Sequence, residues 1–380
     1  MPESAHREGA GRRLVRWIEE RFNLTEIFSF LTNFGLFPTE LDTRLPLSQA
    51  LDEALRRPLP SYARWPRVLG VLSFLLFLFL AITGVMLAFY YQPTASEAFA
   101  SVTSIVRDVS FGWFVHQAHR WGAHLLLLML LARVVRFYFQ GLYKTPREAL
   151  WILAVLIFLV ATHADLTGRL LPWDGRGYWT SVRALETLYA VPILGPAFAF
   201  LVGGPSIDAL VLTRFYILHV FVLPALLLVL FFLNFSSVRR VGLSPLPGAT
   251  PAGAAVFRAH LYNLLILTVL AAGALITLAT LLPTPYGAPA DPYVTVTGAR
   301  PPWYLLAPHA LLESLPRFLP AFIRGLLVLA FLGVVLLLPF IDRAPWQPAG
   351  RRRLAIGLGV AVIVLTLLLT WQGYLLEAAR

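Results

Sequence analysis

The feature that most constrains this chain is a series of seven apolar segments, each long enough to cross a lipid bilayer as an α-helix. About 20 apolar residues, at 1.5 Å per residue, span the roughly 30 Å hydrocarbon core. Only 13% of the 380 residues are charged, against about 25% in a typical soluble domain. We therefore predict an all-α integral membrane protein with seven transmembrane helices, at residues 68–91, 112–139, 149–168, 208–235, 261–283, 319–341 and 354–376.

The distribution of basic residues predicts how these helices are oriented. The net charge is +11, but the basic side chains cluster at the ends of apolar segments, which indicates anionic headgroups and not nucleic acid. They are densest in the N-terminal arm and in the loops after the second, fourth and sixth helices. The positive-inside rule then places the N-terminus in the cytoplasm and the C-terminus outside. We expect the bacterial cytoplasmic (inner) membrane, and no cleaved signal, because no apolar core directly follows the arginine-rich residues 1–24.

Composition also predicts four regions along the chain. Residues 1–66 form an amphipathic cytoplasmic arm, and residues 67–240 form a four-helix domain. The stretch 241–256 (VGLSPLPGATPAGAAV) is rich in Pro, Gly and Ala, which is typical of a linker. Residues 257–380 form a three-helix domain.

The candidate cofactor ligands are histidines inside the membrane segments, where polar groups are costly and usually functional. The chain has no cysteine, which excludes disulfides, iron–sulfur ligation and covalently attached heme within it. His119 and His219 lie toward the outer ends of the second and fourth helices. In a four-helix bundle both would face inward at one depth, as the two axial ligands of a b heme do. The alternative is a pair of histidines hydrogen-bonded between helices.

Three sequence blocks carry a resemblance to a known family. They read GWFVHQAHRWGAH, TGRLLPWDGRGYW and LTRFYILHVFVLP, and they follow an N-terminal WIEERFNLTEI. These blocks resemble the cytochrome b family of bc-type quinol-oxidising complexes, in particular its chloroplast and bacterial branch. Residues 17–246 are similar to the heme-bearing half, and residues 257–376 to the three-helix half that some relatives carry as a separate subunit.

The resemblance implies ligands for only one of the family's two stacked b hemes. His119 and His219 match the ligands of the outer heme. The ligand positions of the inner heme hold Arg133 and Asn234, and a guanidinium, which stays protonated, has no lone pair to offer iron. The family also brackets each heme with a glycine pair on the first and third helices. Gly84 and Gly168 match the outer pair, whereas Gly70 and Ala154 stand at the inner pair.

We therefore predict one noncovalent heme b per chain. Arg214 matches a family arginine that pairs with a heme propionate, and His116 stands where relatives have another such arginine. His116 is also a possible, though less favoured, axial ligand. For Arg133 we expect contact with headgroups by snorkelling; the alternative is contact with a quinone, a lipid phosphate or a partner subunit.

The resemblance also implies a quinol site beside the outer heme, with one change. The family motif Pro-Glu-Trp-Tyr is here Pro301, Pro302, Trp303 and Tyr304, so the glutamate that takes a quinol proton is missing. Further pocket walls are expected from the family-like segment Pro172, Trp173 and Asp174. Candidate replacement proton acceptors are His163, Asp165, His309 and Glu313, since imidazole titrates near neutral pH. The alternatives for His163 and Asp165 are a satisfied polar pair, or an aspartate that simply lies near the membrane surface.

One heme predicts a linear electron path, because the family returns one electron across the membrane through two hemes in series. We predict an electron-transfer subunit of a quinol-oxidising or quinone-reactive respiratory complex, passing electrons between quinone and an outer redox partner. That partner would be a Rieske-type protein or a multiheme cytochrome c, in a dimer or larger assembly within membrane lipid. The main alternative is a degenerate cytochrome b that acts as a membrane anchor. A transporter or channel is suggested only by the seven helices and intramembrane charges.

Overall fold

The structure is a computed structural model that describes residues 29, 41–56, 58–59, 68–202, 204, 207–241, 255–316, 318–345 and 349–378. It confirms the all-α membrane fold. Among the described residues, seven helices are long and apolar enough to cross a membrane: Leu69–Ala88, Gly112–Phe139, Glu148–Leu170, Leu210–Val241, Leu261–Leu281, Phe322–Ile341 and Arg353–Leu376. Most of the expected N-terminal arm, and residues 242–254 of the expected linker, lie outside the described residues. The four domain boundaries remain predictions.

The N-terminal part consists of long helices joined by short surface helices. Its elements are α1 (Leu47–Arg56), β1 (Pro58–Leu59), α2 (Leu69–Ala88), α3 (Ala98–Arg107), α4 (Gly112–Phe139), α5 (Glu148–Leu170), α6 (Gly175–Tyr189), α7 (Leu194–Val202), α8 (Ala209–Ile217), a π-helical turn (Leu218–Val222) and α9 (Leu223–Val241).

The C-terminal part follows a two-residue strand. Its elements are β2 (Ala255–Val256), α10 (Phe257–Leu281), α11 (Trp303–Ser314), α12 (Ala321–Ile341), a 3₁₀ turn (Ala349–Arg351) and α13 (Arg353–Ala378). β2 pairs antiparallel with β1, Pro58 opposite Val256 and Leu59 opposite Ala255. This short ladder ties the start of the C-terminal part to the segment before α2.

The π-helical turn interrupts the fourth transmembrane helix where Pro224 follows. Proline has no N–H to donate, and its ring clashes with the carbonyl four residues earlier, here that of Val220. The Leu223 N–H instead bonds the Leu218 carbonyl, five residues back. His219 therefore lies on a locally widened turn, a feature that is frequent at functional sites.

Aromatic side chains fill the interior between α2 and α9. Phe74 and Phe77 on α2 meet Phe231 and Phe235 on α9, with ring centroids 5.4 Å apart for Phe74–Phe231 and 5.6 Å apart for Phe74–Phe235. All four side chains are buried, and Phe231 is fully so. Such ring pairs add to the packing energy of the apolar core. The bundle is therefore densely packed on one side of the histidine level. We call this side inner and the opposite side outer, after the topology predicted from the sequence.

Polar contacts join the two parts at both membrane faces. At the inner end, Lys144 forms an ion pair with Asp342, and Arg352 donates to the Tyr143 hydroxyl at 3.0 Å. We call these four residues the inner junction. At the outer end, the Gln117 side chain on α4 exchanges two hydrogen bonds with the backbone of Thr284, at 3.0 and 3.1 Å.

Candidate heme and quinol site

Two imidazoles face each other at the centre of the site. His119 on α4 and His219 in the π turn have ring centroids 6.1 Å apart and ring planes at 71°. Both rings are partly buried. The structure thus brings the two histidines that were predicted from the sequence face to face.

Each ring is oriented through its Nδ1 atom. His219 Nδ1 lies 2.9 Å from the Ala164 carbonyl, and His119 Nδ1 lies 2.9 Å from Thr83 Oγ1. The Thr83 hydroxyl donates to the Phe79 carbonyl, so it accepts from His119. A protonated Nδ1 leaves the lone pair on Nε2, which is the form of histidine that ligates a metal.

Two glycines make room for these rings. A Cβ added at Gly168 would lie 2.6 Å from His219 Cε1, and one added at Gly84 would lie 3.3 Å from His119 Cε1. Any larger residue at position 168 would displace the imidazole, since real Cβ contacts are not that short. Glycine is thus required at position 168 by the close approach of α5 to the His219 ring, whereas at position 84 an added Cβ would be tight against the His119 ring.

The residues at this site fit a bis-histidine heme. A metal–imidazole bond is about 2 Å for zinc, and a similar bond on each side of one metal would place the two ring centroids roughly 6 Å apart. Two neutral imidazoles on facing helices are a donor set that heme iron accepts. The two flanking glycines let α2 and α5 lie close to the imidazoles, and a Cβ at either position would press on a ring.

The inner ligand positions carry a different arrangement. Arg133 Nη2 donates to Asn234 Oδ1 at 2.5 Å, and the two residues are 4% and 1% exposed. The Arg133 guanidinium therefore turns into the bundle and is buried against Asn234, instead of lying exposed among the headgroups as snorkelling predicts. Gly70 faces the Arg133 guanidinium, and Ala154 is buried.

Asp165 is the candidate proton acceptor that the fold brings to the motif tyrosine. Tyr304 donates its hydroxyl toward Asp165 Oδ2 at 2.9 Å and the Thr162 carbonyl at 3.0 Å. Arg169, one turn further along α5, donates to the same carboxylate oxygen at 2.6 Å. Burial raises the pKa of Tyr304 well above its ordinary value, and the Asp165 carboxylate adds to this effect. The phenol therefore stays protonated at neutral pH.

The other three candidates lie elsewhere. His163 bonds the Leu159 carbonyl at 2.7 Å and packs against Phe198 of α7. His309 is buried against Thr187 of α6, with 3.0 Å between Nδ1 and Oγ1. Glu313 is exposed near the end of α11. Thus His163 and Asp165 do not contact each other as a polar pair.

The expected pocket walls form a folded outer rim. Asp174 caps α6 by accepting from the Gly177 N–H at 2.8 Å, and its second oxygen accepts from the Gly287 N–H at 3.0 Å. Trp173 is buried with φ +51°, and its carbonyl accepts from the Ala290 N–H. Asp174 therefore holds the outer loop to the bundle. The neighbouring Pro172 is partly buried, Pro301 is buried, and Trp303 begins α11.

His116 contacts a residue that sequence reasoning did not single out. The Tyr286 hydroxyl lies 2.6 Å from Nδ1 of His116. His116 is on α4, one turn before His119. Burial raises the pKa of Tyr286. Arg214 lies five residues before His219 and is partly buried.

The sequence alone did not indicate Tyr286, Thr83 or Arg169 as site residues, because only their tertiary contacts bring them to the site. The one available signal was the placement of Thr83 directly before Gly84.

A membrane four-helix bundle with two facing imidazoles defines a heme-binding electron-transfer protein. The comparisons with known proteins agree. The family model described as Cytochrome b/b6/petB matches residues 56–242, and that described as Cytochrome b(C-terminal)/b6/petD matches residues 289–379. This chain belongs to the cytochrome b family, with both parts in one polypeptide.

Individual relatives match about half of this chain, and one solved structure matches nearly all of it. Cytochrome b6 of Tupiella akineta is 38% identical over 204 residues, which is 53% of this chain and 95% of that protein. Cytochrome b6 of Synechococcus sp. (strain JA-3-3Ab) is 38% identical over 205 residues, 54% of this chain and 95% of that protein. A solved structure titled Hyperthermophilic respiratory Complex III matches with a TM-score of 0.76 and 26% identity, over 96% of this chain and 95% of that chain.

Family membership confirms the coarse functional predictions. The chain is an integral membrane protein and the cytochrome b of a bc-type complex, working in electron transfer. The family implies b heme binding, interaction with quinone, and assembly with other subunits of such a complex.

Proposed function

We propose that this cytochrome b carries a single b heme, at His119 and His219 near the outer membrane face, and transfers electrons linearly on that side. The observation that carries this proposal is the Arg133–Asn234 hydrogen bond at the inner ligand positions, inside a tightly packed interior. Heme held here takes up and releases single electrons. The chain's own residues orient the ligands and transfer the protons.

The chain's residues prepare this site in three ways. Thr83 and the Ala164 carbonyl hold the Nδ1 protons, so that the lone pair of each ring is left on Nε2 for a ligand bond. Gly84 and Gly168 make room for the two rings. His116 and Arg214, beside the two ligands in sequence, would hold the propionates at the outer edge.

We assign quinol deprotonation to the Tyr304–Asp165 pair. Quinol releases protons together with electrons, and the family glutamate is replaced by Pro302. The Tyr304 hydroxyl stands at the start of α11 and hydrogen-bonds Asp165. A quinol hydroxyl reaching this pair could pass a proton to the carboxylate through the phenol oxygen, with Arg169 holding the carboxylate in place. Among the described residues, His163 bonds the Leu159 carbonyl instead, and His309 lies against Thr187.

The redox partner and the location in the membrane are proposed from the family resemblance and from the predicted topology. The electron acceptor would be a Rieske-type protein or a multiheme cytochrome c outside a bacterial cytoplasmic membrane, with the N-terminus inside. The complex would be a quinol:cytochrome c-type oxidoreductase, present as a dimer or larger assembly.

Heme stoichiometry tests the central proposal. A quantitative pyridine hemochrome assay on the purified native complex, normalised to this chain, should give one noncovalent b heme. Two b hemes per chain would overturn the single-heme assignment.

Quinol kinetics test the acceptor and separate it from the anchor alternative. Tyr304→Phe removes the hydroxyl but keeps the Asp165–Arg169 ion pair, so the heme spectrum should remain while quinol-dependent heme reduction slows by about 10² or more. His163→Ala and His309→Ala should retain most of the rate; if either abolishes it instead, the acceptor is that histidine. If quinol never reduces the heme anaerobically with all partners present, the chain serves as a membrane anchor.

A further inference from the structure

We infer that the inner end of the four-helix bundle binds the phosphate of an anionic phospholipid through Arg133, Asn234 and Arg136. This site is separate from the outer histidine site, and the inference goes beyond the proposed function. It starts from an uncompensated buried charge. Arg133 is 4% exposed, and its one hydrogen bond among the described residues goes to the neutral amide oxygen of Asn234.

Two donor groups at this position have no acceptor. Arg133 Nη1 and Asn234 Nδ2 are buried, and neither has a hydrogen-bond partner within the described part of the chain. Both are donors only, so the missing partner must be an acceptor. Leaving a buried cation unpaired is costly, which indicates that an anion completes the pair in the membrane.

A second guanidinium lies one turn further along α4. The Cζ atoms of Arg133 and Arg136 lie 5.2 and 5.8 Å from the same Phe137 ring centroid. Arg136 Nε is also buried without a partner among the described residues. The ion pairs of the described residues involve Asp52, Asp165, Glu186 and Asp342 but neither of these arginines. Guanidinium groups are the donors best suited to the oxygens of a phosphate, and two of them lie beside the same ring here.

The depth of the site selects a lipid as the source of that phosphate. A Cβ added at Gly70 would lie 3.9 Å from Arg133 Cζ, and Gly70 belongs to the first turn of α2. The guanidinium is therefore level with the inner end of α2, within reach of the headgroup layer. Because glycine has no side chain, Gly70 also leaves room for a headgroup to approach the guanidinium along α2. Basic pockets between transmembrane helices on the cytoplasmic side bind acidic headgroups.

The test uses the full chain with its heme in nanodiscs of phosphatidylcholine, with and without phosphatidylglycerol. Native mass spectrometry counts bound phosphatidylglycerol, and tryptophan fluorescence gives Tm. The wild-type chain should retain this lipid and gain at least about 2 °C in Tm. Arg133→Met should lose one bound lipid per chain and the Tm gain. In pure phosphatidylcholine it should melt no lower than wild type, because the unpaired cation is gone.

Two further variants make the result specific. Asn234→Asp supplies a carboxylate from within the chain, so it should raise Tm in pure phosphatidylcholine and abolish the response to phosphatidylglycerol. Arg351→Gln removes an exposed inner-face charge and should respond as wild type does. The inference is overturned if wild type melts equally in both lipids, or if Arg133→Met keeps the gain. It is also overturned if inorganic phosphate alone reproduces the gain, which would make the ligand a free anion.

Discussion

At the scale of single residues, the outer site depends on two glycines that have no Cβ beside the imidazole rings. Gly168 and Gly84 face the two imidazoles, but the space differs: an added Cβ would come within 2.6 Å of His219 and within 3.3 Å of His119. The first distance demands movement of the ring, whereas the second requires only a shift of a few tenths of an ångström. The two positions therefore differ in tolerance although the sequence presents them alike.

We expect Gly168→Ala to displace the His219 ring and abolish the low-spin b-type absorption spectrum. Gly84→Ala should keep most of the heme and shift its midpoint potential. The matched control is Gly273→Ala on α10, where an added Cβ meets nothing within 4 Å; it should leave the spectrum unchanged. Reduced-minus-oxidised difference spectra of membranes with equal chain content measure all three, and an unaltered Gly168→Ala spectrum would contradict the assigned role of this glycine.

At the scale of elements, the outer rim depends on one helix cap. Asp174 begins α6 and also holds Gly287, so a single carboxylate joins the four-helix part to the loop that leads to Trp303 and Tyr304. Asp208 provides a natural comparison. It caps α8 by accepting from the Val211 N–H at 2.9 Å.

Asp174→Ala should therefore loosen the outer loop while leaving the histidine pair intact. Loss of a helix cap costs about 1 kcal/mol, and loss of the Gly287 contact adds to it. We expect faster proteolysis between residues 284 and 302 and slower quinol-dependent reduction, with an unchanged heme spectrum. Asp208→Ala should lose its cap without changing cleavage in that loop. Equal protection of the loop in both variants would show that Asp174 does not hold it.

At the scale of the whole molecule, the inner junction joins parts that the family models match separately. The Tyr143 hydroxyl donates to Asp342 Oδ2 at 2.6 Å, and Lys144 is 5% exposed beside it. Burial alone would raise the pKa of the Asp342 carboxyl, but the hydrogen bonds from Lys144 and Tyr143 outweigh burial and hold the pKa below its usual range. The junction thus stabilises the folded chain with Asp342 ionised.

We expect Asp342→Asn to destabilise the chain by about 1–2 kcal/mol at pH 7 and to lower Tm by a few degrees. Because the folded pKa is depressed, this stabilisation is complete above the unfolded pKa of about 3.9 and is lost as pH falls through the folded pKa. The Tm difference from wild type should therefore shrink below about pH 4. Asp52→Asn, which breaks an exposed pair with Arg56, should change Tm little at any pH.

The sequence by itself determined the architecture and predicted the heme ligands. Seven apolar segments were sufficient to predict seven spans, because a bilayer requires about 20 apolar residues per helix. His119 and His219 were identified because imidazoles inside such segments are rare and because their motifs match a known family. The prediction that the inner heme lacks its ligands rests on two residues of the sequence, Arg133 and Asn234.

Only the tertiary structure decided which polar groups meet. Sequence spacing placed His163 and Asp165 on one helix, but it could not tell that Tyr304, 139 residues after Asp165, would bond the carboxylate and leave His163 against Phe198. Nor could it show that Arg133 turns inward to Asn234, since an arginine near a helix end reaches the headgroups or the interior equally well in one dimension. Hydrogen bonds depend on positions within a few tenths of an ångström, and those positions are set by helix packing.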